Sequence, residues 1–147
     1  METIPFEIAE TAHAMRKAFD RRAAGMGVTR AQWKVLFRLT RQPGLRQIEL
    51  ADMLDIEPIT LSRIIDRLAE AELVERRADP ADRRAWRLYV TKKAEPLVKR
   101  LRAVAEEMTG DAFEGVGRED IETMRRVLAR VRENVSRNAA FSKASNE

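Results

Sequence analysis

The stretch Val74–Val90, with the sequence VERRADPADRRAWRLYV, contains two short runs that favour β-strands, separated by a polar turn. The first run, Leu73–Arg77, begins one residue before the quoted stretch. In the second, Trp86–Val90, apolar and polar residues alternate, which predicts a strand with one buried face. An Asp-Pro pair and a further Asp between the runs favour a turn. The stretch therefore predicts a β-hairpin whose tip carries Arg83 and Arg84.

Two short helices are predicted immediately before this hairpin. In the first, RQIELADML (residues 46–54), Ile48, Ala51 and Leu54 fall on one face. The second runs from Pro58, which suits a first helical position, to about Glu72. Its apolar residues follow the spacing of an amphipathic helix: Leu61, Ile64, Ile65 and Leu68. Two short helices joined by a tight turn form a helix-turn-helix, and the hairpin that follows makes it a winged helix.

The opposite face of the second helix is polar. Arginine can bond guanine edges or phosphates, and serine and threonine can serve either role. Alternatively, the two arginines of this face pair with acids of their own helix, such as Asp66 and Glu70. The face consists of Thr60, Ser62, Arg63, Asp66 and Arg67.

Two longer helices are predicted before the helix-turn-helix. The first runs from Pro5 to about Ala24. The second starts with a capping box, in which Thr29 and Gln32 exchange hydrogen bonds, and ends near Arg41. It is expected to bury Trp33, Leu36, Phe37 and Leu39.

Two more helices are predicted after the hairpin. One is capped by Thr91 and reaches about Gly110, with Pro96 in its second turn bending its start. The last runs from about Arg118 to Arg137. Their narrow apolar stripes are typical of helix-on-helix seams, so we expect the terminal helices to pack against a second copy of the chain; the alternative is that they cover their own core. The predicted dimer contacts are Ile8, Leu101, Val104, Ile121, Met124, Leu128 and Val131.

Composition narrows the class of protein. A chain of 147 residues favours one domain, or one domain with an extension, and its 35% charged residues favour a helix-rich globular protein. There is no cysteine, which excludes disulfides and cysteine-based metal sites. No signal peptide and no apolar run of membrane-spanning length is present. We therefore expect a cytoplasmic protein without membrane contact.

The positive charge is concentrated in one segment. The chain has 28 basic and 24 acidic residues. The segment Arg76–Arg102 contains ten of the basic and three of the acidic residues, so the rest of the chain contains 18 basic and 21 acidic residues. A local positive field on a mildly acidic body favours a polyanionic partner, and a solvated charged face is the alternative. The sequence has no paired nucleophile and histidine, no glycine-rich phosphate loop and no HExxH motif, so no enzyme and no cofactor is predicted.

Three stretches together resemble the MarR family of bacterial transcriptional regulators over nearly the full length. They are GVTRAQWKVLFRL, RQIELADMLDIEPITLSRIIDRLAEAELVERR and DRRAWRLYVTKKAEPLVKRL. The resemblance implies a mainly α fold with a small β-hairpin wing, in which a winged helix-turn-helix core is flanked by N- and C-terminal dimerisation helices. The implied parts are a first helix in 1–28, a DNA-binding region in 29–91, C-terminal dimerisation helices in 92–137 and a frayed tail in 138–147. Within the DNA-binding region, the recognition helix covers about 58–72 and the wing about 73–90.

The resemblance also implies a function. Such a homodimer represses transcription by binding a pseudo-palindromic operator in double-stranded DNA, and a small phenolic or aromatic ligand releases it. By position, Arg84 lies in the minor groove, oriented by Asp82 with Arg83 beside it, and Gln47 touches phosphate. Base readers are Thr60, Ser62, Arg63 and Arg67. Weaker candidates for ligand contacts are His13, Arg16 and Trp33. A winged helix that binds an acidic protein partner is the alternative function.

Two positions depart from the family pattern. Glu72 stands after the recognition helix, where the family often has glycine and where a left-handed backbone is favoured. Arg46 stands where the family often has a capping serine or threonine. The first departure leaves the turn geometry open, and the second removes a helix cap and adds charge near the DNA.

Overall fold

A computed structural model of the chain describes residues 2–144, and the side chains of residues 2–138. The fold is mainly helical, as the sequence predicts, with one small antiparallel sheet. It divides into one compact unit that ends at Thr109 and a second that starts at Gly110. The helices are α1 (Ile4–Ala23), α2 (Arg30–Arg41), α3 (Gln47–Met53), α4 (Pro58–Glu70), α5 (Glu95–Ala112) and α6 (Arg118–Ala144), and the strands are β1 (Leu45–Arg46), β2 (Val74–Ala78) and β3 (Trp86–Val90).

The capping box at the start of α2 is present as predicted. The Gln32 amide donates to Thr29 Oγ1 over 3.2 Å, and the Thr29 amide donates to Gln32 Oε1 over 2.9 Å. These bonds satisfy backbone amides that have no hydrogen-bond partner within the first turn of a helix. On the buried side, Trp33 lies between Phe19 and Phe37, with ring centroids 4.5 and 5.4 Å away. This aromatic cluster joins α1 to α2.

Helices α3 and α4 form the predicted helix-turn-helix. Leu61, Ile65 and Leu68 of α4 are fully buried, and each such side chain contributes about 1.5–3 kcal/mol relative to an exposed one. The predicted inner face of α3 is partly wrong. Ile48 is 68% exposed, and the core contacts are made by Leu50 and Ala51. With seven residues, α3 is too short for a full stripe, and Ile48 lies instead beside Pro58 and the hairpin.

The link between α4 and β2 passes through a left-handed residue, as the position of Glu72 predicts. Its φ is 59°, which costs a non-glycine residue about 1–2 kcal/mol. Local bonds offset this cost. The Thr91 hydroxyl donates to the Glu72 carbonyl over 2.6 Å, and the Lys93 ammonium lies 2.6 Å from the Glu72 carboxylate. The turn therefore forms without the glycine.

The sheet has the order β1-β3-β2, with both pairs antiparallel. The β2–β3 register pairs Val74 with Val90 and Ala78 with Trp86, so these strands and the loop 79–85 make the predicted hairpin wing. Leu88 of the central strand is fully buried, but Trp86, expected on the same apolar face, is 49% exposed. It lies at the end of the strand beside the loop, beyond the core. The two-residue strand β1 was not predicted, because two residues carry no periodic pattern.

The wing is joined to the helix-turn-helix by a buried carboxylate. Asp79 is 3% exposed; its Oδ2 accepts from Arg46 Nε over 2.9 Å and from Arg87 Nε over 3.1 Å. Its Oδ1 accepts from the Ala81 amide over 2.8 Å. We call Asp79, Arg46 and Arg87 the wing ion cluster. Arg87 also donates to the carbonyl of Gly44 over 2.9 Å, so the cluster links the wing to β1 and to the start of α3.

The last two helices differ from the prediction at three points. Thr91 caps a single 3-10 turn, Lys92–Ala94, before α5 begins, so Pro96 is the second residue of α5, where its missing N–H costs little. Leu101, a predicted dimer contact, is fully buried in the core of its own chain and unavailable to a partner. Helix α6 continues past Arg137 to Ala144, which corrects the first part of the predicted tail; residues 145–147 lie outside the described residues.

No helix in the described part of the chain has the length and apolar character needed to cross a bilayer.

The wing ion cluster leads to a prediction about stability. The Ala81 amide and the Arg46 guanidinium hold the pKa of Asp79 below its ordinary value of 3.8. Asp79→Asn removes the charge that two arginines share, so we expect its Tm to fall by several degrees at neutral pH. Because the folded pKa is lowered, the charged carboxylate contributes fully above pH 3.8, and this contribution is lost as the pH falls through the lowered pKa.

Thermal unfolding of both proteins from neutral to acid pH measures this effect. The difference in Tm between wild type and Asp79→Asn should be largest at neutral pH and should shrink in acid. Asp82→Asn, at an exposed position of the same loop, is the matched control and should change Tm far less. Equal Tm values for wild type and Asp79→Asn at neutral pH would contradict the role of the cluster.

Candidate nucleic-acid interface

The outer face of α4 presents two arginines that have no partner in the described part of the chain. Arg63 and Arg67 are exposed, and within the described residues neither makes a hydrogen bond or ion pair. The acid expected to compete for them, Asp66, is instead bound by Arg76 of β2 over 2.6 Å. The alternative in which Arg63 and Arg67 pair with acids of their own helix is therefore not what the structure shows. Thr60 on the same face is exposed and Ser62 is half-buried.

Arg76 connects three elements behind this face. Besides Asp66, its guanidinium donates to the Ser62 carbonyl and to Gln47 Oε1, each over 3.3 Å. It thereby ties β2 to the start of α3 and to the middle of α4, and it fixes the orientation of the Gln47 side chain. Arg76 itself is only 23% exposed in its side chain, so it supports the interface and presents little surface of its own.

The wing tip carries Arg83 and Arg84, both exposed. The family resemblance predicts that Asp82 orients the Arg84 guanidinium. The structure shows a different bond: Asp82 Oδ1 accepts from the main-chain amide of Arg84 over 2.9 Å. A short Asp side chain that bonds the amide two residues later closes a turn. Asp82 therefore shapes the loop, and the Arg84 side chain remains without a partner among the described residues.

A groove of about 440 Å³ lies between the wing and the starts of α3 and α4. Arginines from two elements border it, Arg46 from β1 and Arg84 from the wing. Apolar side chains, one side-chain amide and the carboxylate of Asp82 complete its walls. The remaining lining residues are Gln47, Ile48, Pro58, Asp82, Ala85 and Trp86.

A separate cavity of about 320 Å³ opens where the end of α2, the end of β3 and the start of α5 meet. Its walls combine apolar side chains such as Leu39 and Val98 with the basic Lys99 and Arg102 and the acidic Glu95. This size and composition suit a small amphipathic molecule. None of the predicted ligand contacts lines this cavity. His13 is exposed on α1, Arg16 is half-buried there, and Trp33 belongs to the aromatic cluster.

The predicted dimer contacts fall into three groups. Ile8, Met124 and Val131 are exposed, at 42%, 38% and 42%. Val104, Ile121 and Leu128 are half-buried, and Leu101 is buried as described above. Exposed apolar side chains outside the predicted dimer contacts also lie on α1 and α6: Ile4 and Phe6 on α1, and Val127 and Val135 on α6.

Sequence reasoning missed the residues that hold the interface together. The sequence marks Asp79 only as a turn former, Arg46 only as a missing cap, and Arg76 and Arg87 only as parts of a charge count. One signal was present in the sequence. A guanidinium carries no hydrogen-bond acceptor atom, so an arginine at a helix N-cap cannot accept from the helix amides and pairs with an acid elsewhere in the chain.

Within residues 2–138, no group of three or more His, Asp or Glu side chains is arranged to hold a metal ion.

Comparison with known proteins identifies the family of this architecture. The family model described as MarR matches residues 28–86. The fold is similar to a solved transcriptional regulator, PA3341, at 33% identity over 90% of this chain and 97% of that one, with a TM-score of 0.82. It is also similar to a MarR transcriptional regulator from Methanosarcina mazei Go1, at 26% identity over 93% and 99% of the two chains, with a TM-score of 0.83. A structure of MarR matches at 27% identity over 91% of each chain, with a TM-score of 0.80. The chain belongs to the MarR family of transcriptional regulators.

Proposed function

We propose that this chain is a sequence-specific DNA-binding repressor that acts as a homodimer on a pseudo-palindromic operator. The observation that carries the proposal is that three basic side chains are exposed and unpaired in the described part of the chain. Arg63 and Arg67 on α4 and Arg84 on the wing are exposed and have no partner in the described chain, while the neighbouring Asp66 and Asp82 are bound elsewhere. Unpaired guanidiniums on one polar surface are suited to phosphates and guanine edges.

The groove between the wing and the helices supports a specific mode of docking. In this mode α4 enters the major groove and Arg84 enters the neighbouring minor groove, so one sugar–phosphate strand passes between them. The groove of about 440 Å³ lies at that place and is bordered by Arg46, Gln47 and Arg84. Arg76 holds Gln47 Oε1, which leaves its amide NH₂ group as the donor for a phosphate. Thr60 and Ser62 complete the reading face, with Arg83 as an additional contact of the wing.

A twofold-symmetric homodimer matches the symmetry of a pseudo-palindromic operator. Exposed apolar residues on α1 and, separately, on α6 provide surface for a second copy, with Ile8, Met124 and Val131 as proposed contacts and Val104, Ile121 and Leu128 beside them. Two recognition helices related by a twofold axis read two half-sites centred about 10 bp apart. A dimer bound across a promoter in this way represses transcription by blocking access to it.

An effector site fits the cavity of about 320 Å³ better than the positions named from the sequence. Lys99 and Arg102 supply positive charge for a carboxylate or phenolate, and Leu39 and Val98 supply apolar contact for a ring. The cavity also includes Tyr89, Val90 and Thr91, at the end of β3. Because β3 is a wing strand, a ligand that shifts it changes the position of Arg84 and weakens DNA binding. His13, Arg16 and Trp33 stay predictions without a place in this cavity.

The first prediction from the proposed function concerns two arginines of the interface. Arg84→Ala should weaken binding to all duplexes, because a minor-groove arginine adds a general electrostatic attraction; the slope of log affinity against log salt should become shallower by about 0.9, the value for one neutralised phosphate. Arg63→Ala should also change the preferred sequence, at a cost of about 1–3 kcal/mol at the base pair that it reads. Fluorescence anisotropy on a selected operator, its single-base variants and a scrambled duplex measures both effects.

Arg100→Ala is the matched control, because Arg100 is an exposed arginine on α5 within the same basic segment. It removes the same charge and should leave the preferred sequence and most of the affinity intact. If Arg63→Ala and Arg84→Ala both bind the operator as tightly as the wild type, the docking mode is wrong. If the wild type binds no duplex even at low salt but retains an acidic protein, the alternative of a protein-binding winged helix replaces the proposal.

The second prediction concerns the dimer. Val131→Glu introduces a charge at an apolar exposed position of α6, so association with a second copy should be abolished and operator affinity should fall with it. Sedimentation velocity should show a dimer for the wild type and a monomer for this variant. Arg130→Ala, at the neighbouring exposed position, should remain dimeric. A wild-type protein that sediments as a monomer at micromolar concentration would contradict the homodimer.

The third prediction concerns the effector. Among a panel of benzoates and phenols, a compound that binds the cavity should raise Tm and lower operator affinity, because it binds the form with a displaced wing. Arg102→Ala should remove both responses to a benzoate, whereas Arg16→Ala should keep them. If only Arg16→Ala abolished both responses, the effector site would lie at α1, as predicted from the sequence, and not in this cavity.

A further inference from the structure

Ile59 is an exposed apolar side chain in the first turn of α4. It is 68% exposed, whereas Leu61, Ile65 and Leu68 of the same helix are fully buried. Burial in the core therefore does not explain an isoleucine at this position. Helix formation does not explain it either, because a β-branched residue is a weaker helix former than alanine or leucine.

The position of Ile59 relative to the arginines suggests what it meets. Residues four apart lie above one another on a helix, so Ile59 precedes Arg63 by one turn on the same face, and Arg67 follows by another. In the docking proposed above, the first residues of α4 are those closest to the base edges in the major groove. An exposed isoleucine there faces DNA bases with a basic side chain directly beside it.

We propose that Ile59 contacts the 5-methyl group of a thymine in each half-site, next to the base pair that Arg63 reads, and that it selects thymine at that position. This inference rests on the proposed DNA-binding function and specifies part of its sequence preference. Thymine is the base that presents an apolar group in the major groove, and apolar side chains recognise it by contact. Contact between the isoleucine and the thymine methyl group removes apolar surface from water. This contact should raise the affinity about fourfold, the effect of burying one methylene.

Ile48 provides a matched comparison within the same chain. It is also an isoleucine, is also 68% exposed and also belongs to the helix-turn-helix. It borders the groove between the wing and the helices, where a sugar–phosphate strand lies in the proposed docking. A backbone strand has no methyl group to offer, so Ile48 should take no part in selecting thymine.

The test replaces thymines of a selected operator one at a time by deoxyuridine, which removes the methyl group and keeps the base pair. Anisotropy titrations compare wild type, Ile59→Ala and Ile48→Ala on each duplex. At one thymine per half-site, the affinity of wild type and of Ile48→Ala should fall about fourfold when the methyl group is removed. Ile59→Ala should bind the parent operator about fourfold more weakly and should not distinguish the two duplexes.

Three results would overturn the inference: a wild type that tolerates deoxyuridine at every position, an Ile59→Ala variant that still discriminates, or loss of discrimination in Ile48→Ala as well. Folding does not confound the test, because Ile59 is exposed and alanine favours the helix, so Tm should be unchanged or higher. Failure of the proposed function is distinguishable from failure of this inference. In the first case the wild type binds no selected duplex more tightly than a scrambled one, and in the second it binds an operator tightly without coupling Ile59 to a thymine.

Discussion

The buried carboxylate of Asp79 is the interaction on which the arrangement of the interface depends. A charged side chain that is 3% exposed is stable only with compensating partners. Asp79 has three: the Arg46 and Arg87 guanidiniums and the Ala81 amide. Because Arg46 immediately precedes α3 and Arg87 lies in the central strand, this carboxylate, together with the Arg76 bonds, joins the wing to the helix-turn-helix. The proposed docking, in which α4 and Arg84 enter neighbouring grooves, needs the position of the wing relative to α4 to be fixed.

Bonds to residues distant in sequence explain how the chain tolerates its two departures from the family pattern. Arg46 cannot accept a hydrogen bond from the start of α3, but the Arg46 amide donates to the Glu49 carboxylate over 3.2 Å, and the guanidinium gains Asp79 as a partner. Glu72 occupies a left-handed position without being glycine, and Lys93 and Thr91 bind it from beyond the end of β3. For Arg46 and Glu72 alike, a local cost is offset by a residue that is distant in sequence.

Features that depend on residues close together in sequence could be predicted, whereas contacts between residues distant in sequence could not. Helix periodicity, the Thr29 capping box and the turn residues of the wing are local signals, and they predicted the helices, the hairpin and the exposed arginines of α4 and the wing. The partner of each charge is a tertiary property. Sequence alone could not show that Arg76, and not Arg63 or Arg67, binds Asp66, or that Asp79 is buried. Leu101 failed as a dimer contact for the same reason, since a periodic stripe does not reveal which of its residues the chain's own core covers.

If the wing ion cluster fixes the wing so that α4 and Arg84 engage two grooves at once, removing the Asp79 charge should release the wing from the DNA. Hydroxyl-radical footprinting of a selected operator with wild type and Asp79→Asn detects this release, at protein concentrations that saturate both. The wild type should protect two adjacent regions in each half-site. Asp79→Asn should keep the region around the bases read by Arg63 and should no longer protect the flanking minor groove, as is expected for Arg84→Ala. Identical footprints for wild type and Asp79→Asn would show that the cluster does not position the wing on DNA.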